Sequence, residues 1–149
     1  MEKLDVNAIS IATNIYRIAQ GLRNKMEREV LSSHGLSWTA FSILYDLWIW
    51  KSMETRKLAE SAGVSKATIS NITNTLERKG FCFRKQDSQD KRLTFVTITD
   101  KGVIAMEELY PLFHKGEVEL VSMLSADERT FMSGLLRIVV RENGFDKTE

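Results

Sequence analysis

The segment at 55–92 constrains the fold of this chain more than any other part of the sequence. Leu58, Ala59 and Ala62 occupy positions that share one face of a short helix. Gly63 follows them, and glycine adopts the left-handed conformation of a helix C-terminal cap at no steric cost. The pattern therefore predicts a short helix that ends at a glycine turn.

A second helix is predicted directly after this turn. Ser65 is a favourable N-cap, because its hydroxyl can accept a hydrogen bond from a free backbone N–H of the next turn. Ile69, Ile72 and Leu76 recur at helical spacing and would pack on the first helix. The opposite face displays side chains that can donate to phosphates or read base edges, namely Ser65, Lys66, Ala67, Thr68, Ser70, Asn71, Asn74 and Arg78.

A charged β-hairpin is predicted after the two helices. The segments 81–86 and 93–98 are rich in strand-forming residues, and the polar tip between them has nothing apolar to bury. Lys91 and Arg92 at this tip suit insertion into a narrow minor groove. Taken alone, the polar helix face is more often a solvated surface. Together with the hairpin it outlines a winged helix-turn-helix, which makes DNA binding the leading hypothesis.

The charge distribution agrees with a DNA-binding lobe. The 149-residue chain has a formal net charge of only +1, but nine Lys or Arg and four Asp or Glu lie within 55–92. The remainder carries 12 Lys or Arg against 16 Asp or Glu. A basic middle between acidic arms is typical of a DNA-binding lobe joined to a second lobe with another role.

Several motifs resemble the MarR (multiple antibiotic resistance regulator) family of bacterial transcription factors. They are GLSWT at 35–39, LAE at 58–60, VSKATIS at 64–70, LERKGF at 76–81, DKR at 90–92 and ITDKG at 98–102. The resemblance implies a mainly α-helical winged helix-turn-helix with a small β-hairpin wing. It also implies a homodimer that binds a pseudo-palindromic operator in double-stranded DNA, with repression as the expected effect.

The wing departs from the family pattern at one position. The family motif is often D-x-R-D-x-R, and here Gln89 stands at the first arginine. Asp90 and Arg92 keep the pair in which the carboxylate would orient the guanidinium that enters the minor groove, and Lys91 would lie near a phosphate. Arg84 is expected either to anchor the DNA backbone or to pair with a wing carboxylate.

Long helices are predicted on both sides of this lobe. Near the N-terminus an apolar stripe continues over five turns, as far as Val30. Another helix should run from Asp100 towards Leu124, interrupted and bent by Pro111. A capping box at 125–128 should begin the last helix.

These outer helices have no obvious partner within one chain, so a second copy is expected to cover their apolar faces. The predicted organisation is an N-terminal dimerisation helix at 1–35, a DNA-binding lobe at 36–99 and C-terminal helices at 100–149 that complete the dimerisation lobe. The side chains expected at the dimer interface are Ile11, Ile15, Ile18, Leu22, Leu135, Ile138 and Val139.

An aromatic run supplies the candidate lining of an effector site. Members of the resembling family commonly bind small amphipathic or phenolic ligands in a cleft between the dimerisation and DNA-binding lobes. The lining would come here from Trp38, Phe41, Tyr45, Trp48 and Met53. Since the rings step by three or four along one helix, an ordinary core role is the alternative for each of them.

Two other sensing chemistries are disfavoured. Cys82 lies between two phenylalanines in a predicted strand, where a thiol is usually a buried and inert small hydrophobe. The redox-sensing thiols of the resembling family lie near the N-terminus instead. The residues that could seed a metal site lack ligand spacing, so neither a metal nor a cofactor is expected; they are His34, Glu107, Glu108 and His114.

Other classes of function find little support. The sequence contains no phosphate-binding glycine loop, no H-E-x-x-H motif and no nucleophile elbow, so an enzyme is not expected. It also contains no apolar stretch of about 18 residues and no signal-peptide core, which makes the cytoplasm the default compartment and excludes a membrane partner. The alternative is a winged-helix protein-interaction module with an acidic protein partner. Large apolar residues on the recognition face would indicate that role, and the face is polar.

Overall fold

The computed structural model describes residues 2–146. Their helices and strands, in chain order, are α1 (Val6–Met26), α2 (Trp38–Trp50), β1 (Ser52–Glu54), α3 (Thr55–Ala62), α4 (Lys66–Arg78), β2 (Cys82–Gln86), β3 (Thr94–Ile98), α5 (Asp100–Leu120) and α6 (Ala126–Glu142). The chain divides into two compact units, one that ends at Trp38 and one that begins at Thr39. Mainly helical structure with a small antiparallel sheet confirms the predicted fold class.

The first unit is built on α1. Asp5 caps its N-terminus, since a side-chain oxygen of Asp5 accepts a hydrogen bond of 3.0 Å from the backbone N–H of Ala8. The predicted N-terminal helix extends as an α-helix to Met26. A π-helical turn at Glu27–Leu31 follows. This turn contains more residues than an α-helical turn, so Val30 is displaced from the apolar stripe of α1.

The helix-turn-helix forms as its capping residues predict. Leu58 and Ala59 bury the inner face of α3, and Gly63 ends that helix with φ at 66°. Ser65 then caps α4, its hydroxyl accepting from the backbone N–H of Thr68 at 3.1 Å. Ile69, Thr73 and Leu76 form the buried face of α4.

The wing belongs to a three-stranded antiparallel sheet in the order β1-β3-β2. In its centre Val96 lies opposite Met53 of β1 and Arg84 of β2. Directly paired residues share one face of a sheet, so these three side chains point the same way. Val96 and Met53 are buried, which makes this the inner face.

The C-terminal helices differ from the prediction at Pro111 and at the end of α5. The expected interruption at Pro111 is wrong, since α5 continues through the proline to Leu120, although it ends before Leu124. Proline removes a single backbone hydrogen bond, and the buried residues Met106, Leu109 and Phe113 hold the helix on either side of it. The predicted capping box of α6, between Ser125 and Glu128, is present.

Candidate nucleic-acid interface

The outer face of α4 presents a polar, cationic surface. Lys66, Thr68, Asn71 and Arg78 are exposed, while Ser70 is half-buried. The hydroxyl of Ser65 is already engaged, because it accepts from the backbone of Thr68 and also donates to the Thr68 hydroxyl at 3.0 Å. Its principal role is therefore to start the helix. Beyond it, Lys66 and Asn71 are exposed, whereas Arg78 donates to the Thr75 hydroxyl at 3.3 Å.

A groove of about 630 Å³ lies between the N-terminal half of α4 and the wing. Its cationic lining is Arg56, Lys66, Arg84 and Arg92, with Glu54 as the acid. Glu54 lies 3.8 Å from Arg56. The remaining lining is Thr55, Ala67, Ser70, Leu93 and Thr94. Apart from Leu93 these residues are small or polar, so the groove has room for a polyanion, which the surrounding cations attract.

The tip of the wing holds one arginine in an extended, solvated position. Arg92 donates to the two carboxylate oxygens of Asp90, from Nε at 3.0 Å and from Nη2 at 3.1 Å. Its side chain is 89% exposed. The Arg92 guanidinium lowers the pKa of Asp90, so the pair stays ionised near neutral pH. Asp90 and Arg92 are therefore paired, and the role of Asp90 in orienting Arg92 towards DNA stays a prediction.

The turn of the wing is fixed by its own hydrogen bonds. A side-chain oxygen of Asp87 accepts from the backbone N–H of Asp90 at 2.9 Å, and the backbone N–H of Arg92 donates to a side-chain oxygen of Asp90 at 3.0 Å. Gln89 and Lys91 lie exposed at the tip. The tip is thus ordered without an apolar contact.

Arg84 lies elsewhere than at the tip. Side chains alternate between the two faces along β2, so Arg84 lies on the inner face, as Cys82 does. This face is directed towards α4. Its Nη2 donates to an Oε2 of Glu77 at 2.9 Å and to Oδ1 of Asn74, and its backbone N–H donates to Glu77 Oε1 at 2.7 Å. The expectation that Arg84 pairs with a wing carboxylate is therefore wrong. The hydrogen bond from Arg84 also lowers the pKa of Glu77, which keeps the link ionised.

A second cluster of side chains joins α2 to α5. The Phe41 ring stacks on Phe113 with centroids 4.3 Å apart, while Tyr110 lies 5.7 Å from Tyr45 and 5.5 Å from Trp48. Tyr110 donates its hydroxyl to Glu117 at 2.9 Å. Burial, followed by the neighbouring Glu117 carboxylate, raises the pKa of Tyr110 to about 12, so its hydroxyl stays protonated.

The sequence model of the MarR family matches residues 36–94. YwaE of Bacillus subtilis (strain 168), an uncharacterised HTH-type transcriptional regulator, is 60% identical over 139 residues, which cover 93% of this chain and 81% of YwaE. The chain belongs to the MarR family. This confirms the resemblance carried by the helix-turn-helix and wing motifs, and it makes the chain a DNA-binding transcriptional regulator.

Solved structures of two bacterial proteins share the fold. Sco3205 of Streptomyces coelicolor, determined in complex with DNA, aligns with a TM-score of 0.80 at 19% identity, covering 95% of this chain and 91% of Sco3205. BpsR of Bordetella bronchiseptica, whose DNA binding is regulated by 6-hydroxynicotinic acid, aligns with a TM-score of 0.77 at 20% identity. That alignment covers 87% of this chain and 98% of BpsR.

Sequence reasoning missed several residues of this MarR-family interface. Arg56 lines the groove from the start of α3, and Thr94 lines it from β3. Arg56 follows closely after β1, a strand of three residues that the sequence did not reveal. Tyr110, at the centre of the aromatic cluster, was also missed. It stands on α5 directly before Pro111, away from the aromatic run of α2.

The structure distributes the proposed effector-site residues over more than one element. Phe41, Tyr45 and Trp48 form consecutive ring contacts along α2, with Phe41–Tyr45 centroids 6.1 Å apart and Tyr45–Trp48 centroids 6.3 Å apart. Trp38 begins α2 and is half-buried. Met53 lies in β1, buried opposite Val96, where it packs as part of the sheet.

Cys82 lies buried on the inner face of β2, 3% exposed, as predicted. Burial, followed by the nearby Glu77 charge, raises the pKa of the Cys82 thiol to about 11. At neutral pH the reactive thiolate is therefore reduced on the order of a hundredfold relative to an exposed cysteine. We expect N-ethylmaleimide to label the native protein at least tenfold more slowly than the urea-unfolded chain, as followed by mass spectrometry. Equal labelling rates would contradict this account of the thiol.

The described residues contain little that would support other chemistry. Over 2–146, no three His, Cys, Asp or Glu side chains are grouped so that they could hold a metal ion. His114 lies 3.5 Å from Glu117 and stacks on Tyr110 instead. In the same part of the chain, no helix is long and apolar enough to cross a membrane.

Proposed function

We propose that this MarR-family regulator acts as a homodimeric repressor on a pseudo-palindromic operator. The observation that carries the proposal is the apolar surface that its outer helices leave uncovered. Ile11 on α1 is 58% exposed and Leu135 on α6 is 48% exposed, and no residue of α6 is buried within one chain. Leaving so many large apolar side chains in water is unfavourable, and a second copy would cover them.

The proposed interface uses the side chains predicted from the sequence, on α1 and on α6. Ile11, Ile15, Ile18, Leu135, Ile138 and Val139 are exposed, and Leu22 is half-buried. The proposal assigns 1–35 and 100–149 to dimerisation and 36–99 to DNA binding. A two-fold axis would then place two recognition helices about 34–36 Å apart, one helical turn of DNA.

In each half-site, α4 is proposed to lie in the major groove and the wing in the adjacent minor groove. The groove between them is lined by cations, which supports a DNA strand along it. The proposed major-groove and phosphate contacts come from α4, namely Lys66, Ala67, Thr68, Ser70, Asn71, Asn74 and Arg78. Arg92 would enter the minor groove and Lys91 would approach a phosphate, with Gln89 beside them. The polar face of α4 gives an acidic protein partner no apolar anchor.

The dimer is tested by placing a charge in its proposed interface. Leu135→Glu should convert the dimer to monomers, because an unpaired carboxylate in an apolar interface is strongly disfavoured. Analytical ultracentrifugation would show the mass of one chain in place of two. Ile49→Glu serves as a matched control, since Ile49 is 54% exposed and lies outside the proposed interface. A monomeric wild-type protein, or an undisturbed Leu135→Glu dimer, would contradict the assignment.

Repression is tested on the promoter that carries the operator. Footprinting should show one dimer protecting an inverted repeat, and transcription in vitro from that promoter should fall as protein is added. The Leu135→Glu variant should lose the footprint and the effect together. Rising transcription at the same occupancy would identify an activator and would overturn the repressor proposal.

We also propose that a small aromatic ligand releases the regulator from DNA. The cluster of Tyr45, Trp48 and Tyr110 supports this, since it combines ring faces with a protonated hydroxyl and the adjoining His114–Glu117 pair. Regulation of BpsR by 6-hydroxynicotinic acid is a precedent in a protein of the same fold.

The effector proposal is tested by titrating phenol and 6-hydroxynicotinic acid into the protein–operator complex. Release of DNA should be accompanied by quenching of tryptophan fluorescence. Trp48→Phe should weaken the release, whereas Trp50→Phe, at a ring that is 56% exposed and outside the ring contacts, should leave it unchanged. If Trp48→Phe and Trp50→Phe release DNA equally well, the aromatic cluster belongs to the hydrophobic core and is not an effector site.

A further inference from the structure

Asn74 has one half of its amide occupied before any DNA arrives. Its Oδ1 accepts from Nη2 of Arg84, and the same Nη2 donates to Glu77 at 2.9 Å. A guanidinium has donors only, so the amide must turn its oxygen towards Arg84 and its NH2 group away. The orientation of the Asn74 side chain is thereby fixed by chemistry.

The NH2 group of the Asn74 amide, which points away from Arg84, is free to donate. Asn74 is half-buried, and its Nδ2 has no hydrogen-bond partner among residues 2–146. In that part of the chain every buried side-chain nitrogen or oxygen has a partner, so Nδ2 is open to solvent. Asn74 lies seven residues after Ala67 and four after Ser70 on α4. It is therefore on the same side of the helix as these two groove-lining residues.

We infer that Asn74 selects guanine over adenine at one position of each operator half-site. An asparagine normally recognises adenine by accepting from N6 and donating to N7, which requires both halves of the amide. Here the amide turns its oxygen towards Arg84 and presents its NH2 group outward. Guanine offers two neighbouring acceptors, O6 and N7, to such a donor, whereas the N6 amino group of adenine would face another donor.

Glu77 and Arg84 are positioning residues for Asn74 in this base recognition. Glu77 accepts from both the side chain and the backbone N–H of Arg84, which draws the guanidinium onto α4. Arg84 then holds the Asn74 oxygen. In this inference Arg84, although it lines the groove, acts through Asn74, and its charge is offset by Glu77 at 2.9 Å.

The inference rests on the proposed operator binding, and its test separates the two. Wild-type protein and variants would each select binding sites from randomised duplex DNA. Wild type should select a G·C pair at a position that becomes degenerate in Asn74→Ala, with a preference over A·T of roughly tenfold. Arg84→Met, which frees Oδ1 but keeps an unbranched apolar stem, should admit A·T there. Replacement of that guanine by 7-deazaguanine should weaken wild type and leave Asn74→Ala unaffected.

Salt dependence provides an independent readout. If Arg84 acts through Asn74, the slope of log K against log salt should be the same in Arg84→Met as in wild type. Circular dichroism and ultracentrifugation would establish that each variant remains a folded dimer.

Each remaining outcome overturns a distinct claim. An A·T preference at the Asn74-dependent position, or an unaltered selected site in Asn74→Ala, overturns the inference while operator binding stands. A slope reduced in Arg84→Met makes Arg84 a phosphate contact and overturns its positioning role. Failure of the folded wild-type dimer to select any sequence overturns the proposed function itself.

Discussion

Gly102→Ala should lower the free energy of unfolding by about 3 kcal/mol, or roughly 6 to 12 °C in melting temperature. A Cβ at this position would lie 2.2 Å from the backbone oxygen of Phe81 and 2.7 Å from Cγ1 of Ile98. The Phe81 oxygen cannot move freely, because it already accepts from the backbone N–H of Thr99 at 3.0 Å. The glycine therefore permits α5 to begin directly against the strands of the wing.

The control for this prediction is Gly21→Ala. Gly21 lies inside α1, and a Cβ there would meet nothing within 4 Å. Alanine should stabilise that helix by about 0.5–1 kcal/mol, because glycine loses more backbone entropy on folding. Thermal unfolding at matched protein concentration measures both variants, since dimerisation makes the melting temperature depend on concentration. Equal melting temperatures for Gly102→Ala and wild type would show that the helix start is not closely packed.

Arg92→Ala should weaken operator binding by about 1–3 kcal/mol per half-site while leaving the fold intact. The side chain is 89% exposed and, among residues 2–146, its side-chain hydrogen bonds are to Asp90 alone, so its removal uncovers no core. The loss of a cation at the wing should also reduce the salt slope by about one unit for each half-site. Fluorescence anisotropy on a labelled operator, across a salt series, measures both effects.

Arg28→Ala is the matched control for the wing variant. Arg28 is a comparably exposed arginine outside the winged helix, 3.5 Å from Glu29. Its removal should change operator affinity by less than about 0.5 kcal/mol. An Arg92→Ala protein that binds like wild type, or one that has lost its circular dichroism signal, would contradict the role given to the wing.

The sequence predicted those elements whose boundaries are determined locally. Gly63 and Ser65 define the turn between α3 and α4 through their own conformations and hydrogen bonds, and Ser125 with Glu128 does the same for α6. Asp90 and Arg92 are two residues apart on the wing, so their pairing could also be foreseen.

What the sequence did not predict depends on contacts between distant segments. The strand β1 exists because Ser52–Glu54 pairs with β3, some forty residues further along the chain. The partner of Arg84 depends on how β2 packs on α4, and the aromatic cluster depends on how α5 packs on α2. Periodicity along one segment carries no information on which neighbour it meets, and so it missed the groove lining from Arg56 and the ring of Tyr110.

The most direct test of the account is binding of the purified wild-type protein to the intergenic DNA upstream of its own gene, across a salt series. We expect one dimer on a short inverted repeat, with log K falling linearly against log salt and at least several phosphates neutralised. Substitution of the repeat should reduce the affinity to the nonspecific level. A folded dimer that binds this DNA no better than unrelated DNA at every salt concentration, and selects no sequence from a random pool, would contradict the claim that α4 and the wing recognise an operator.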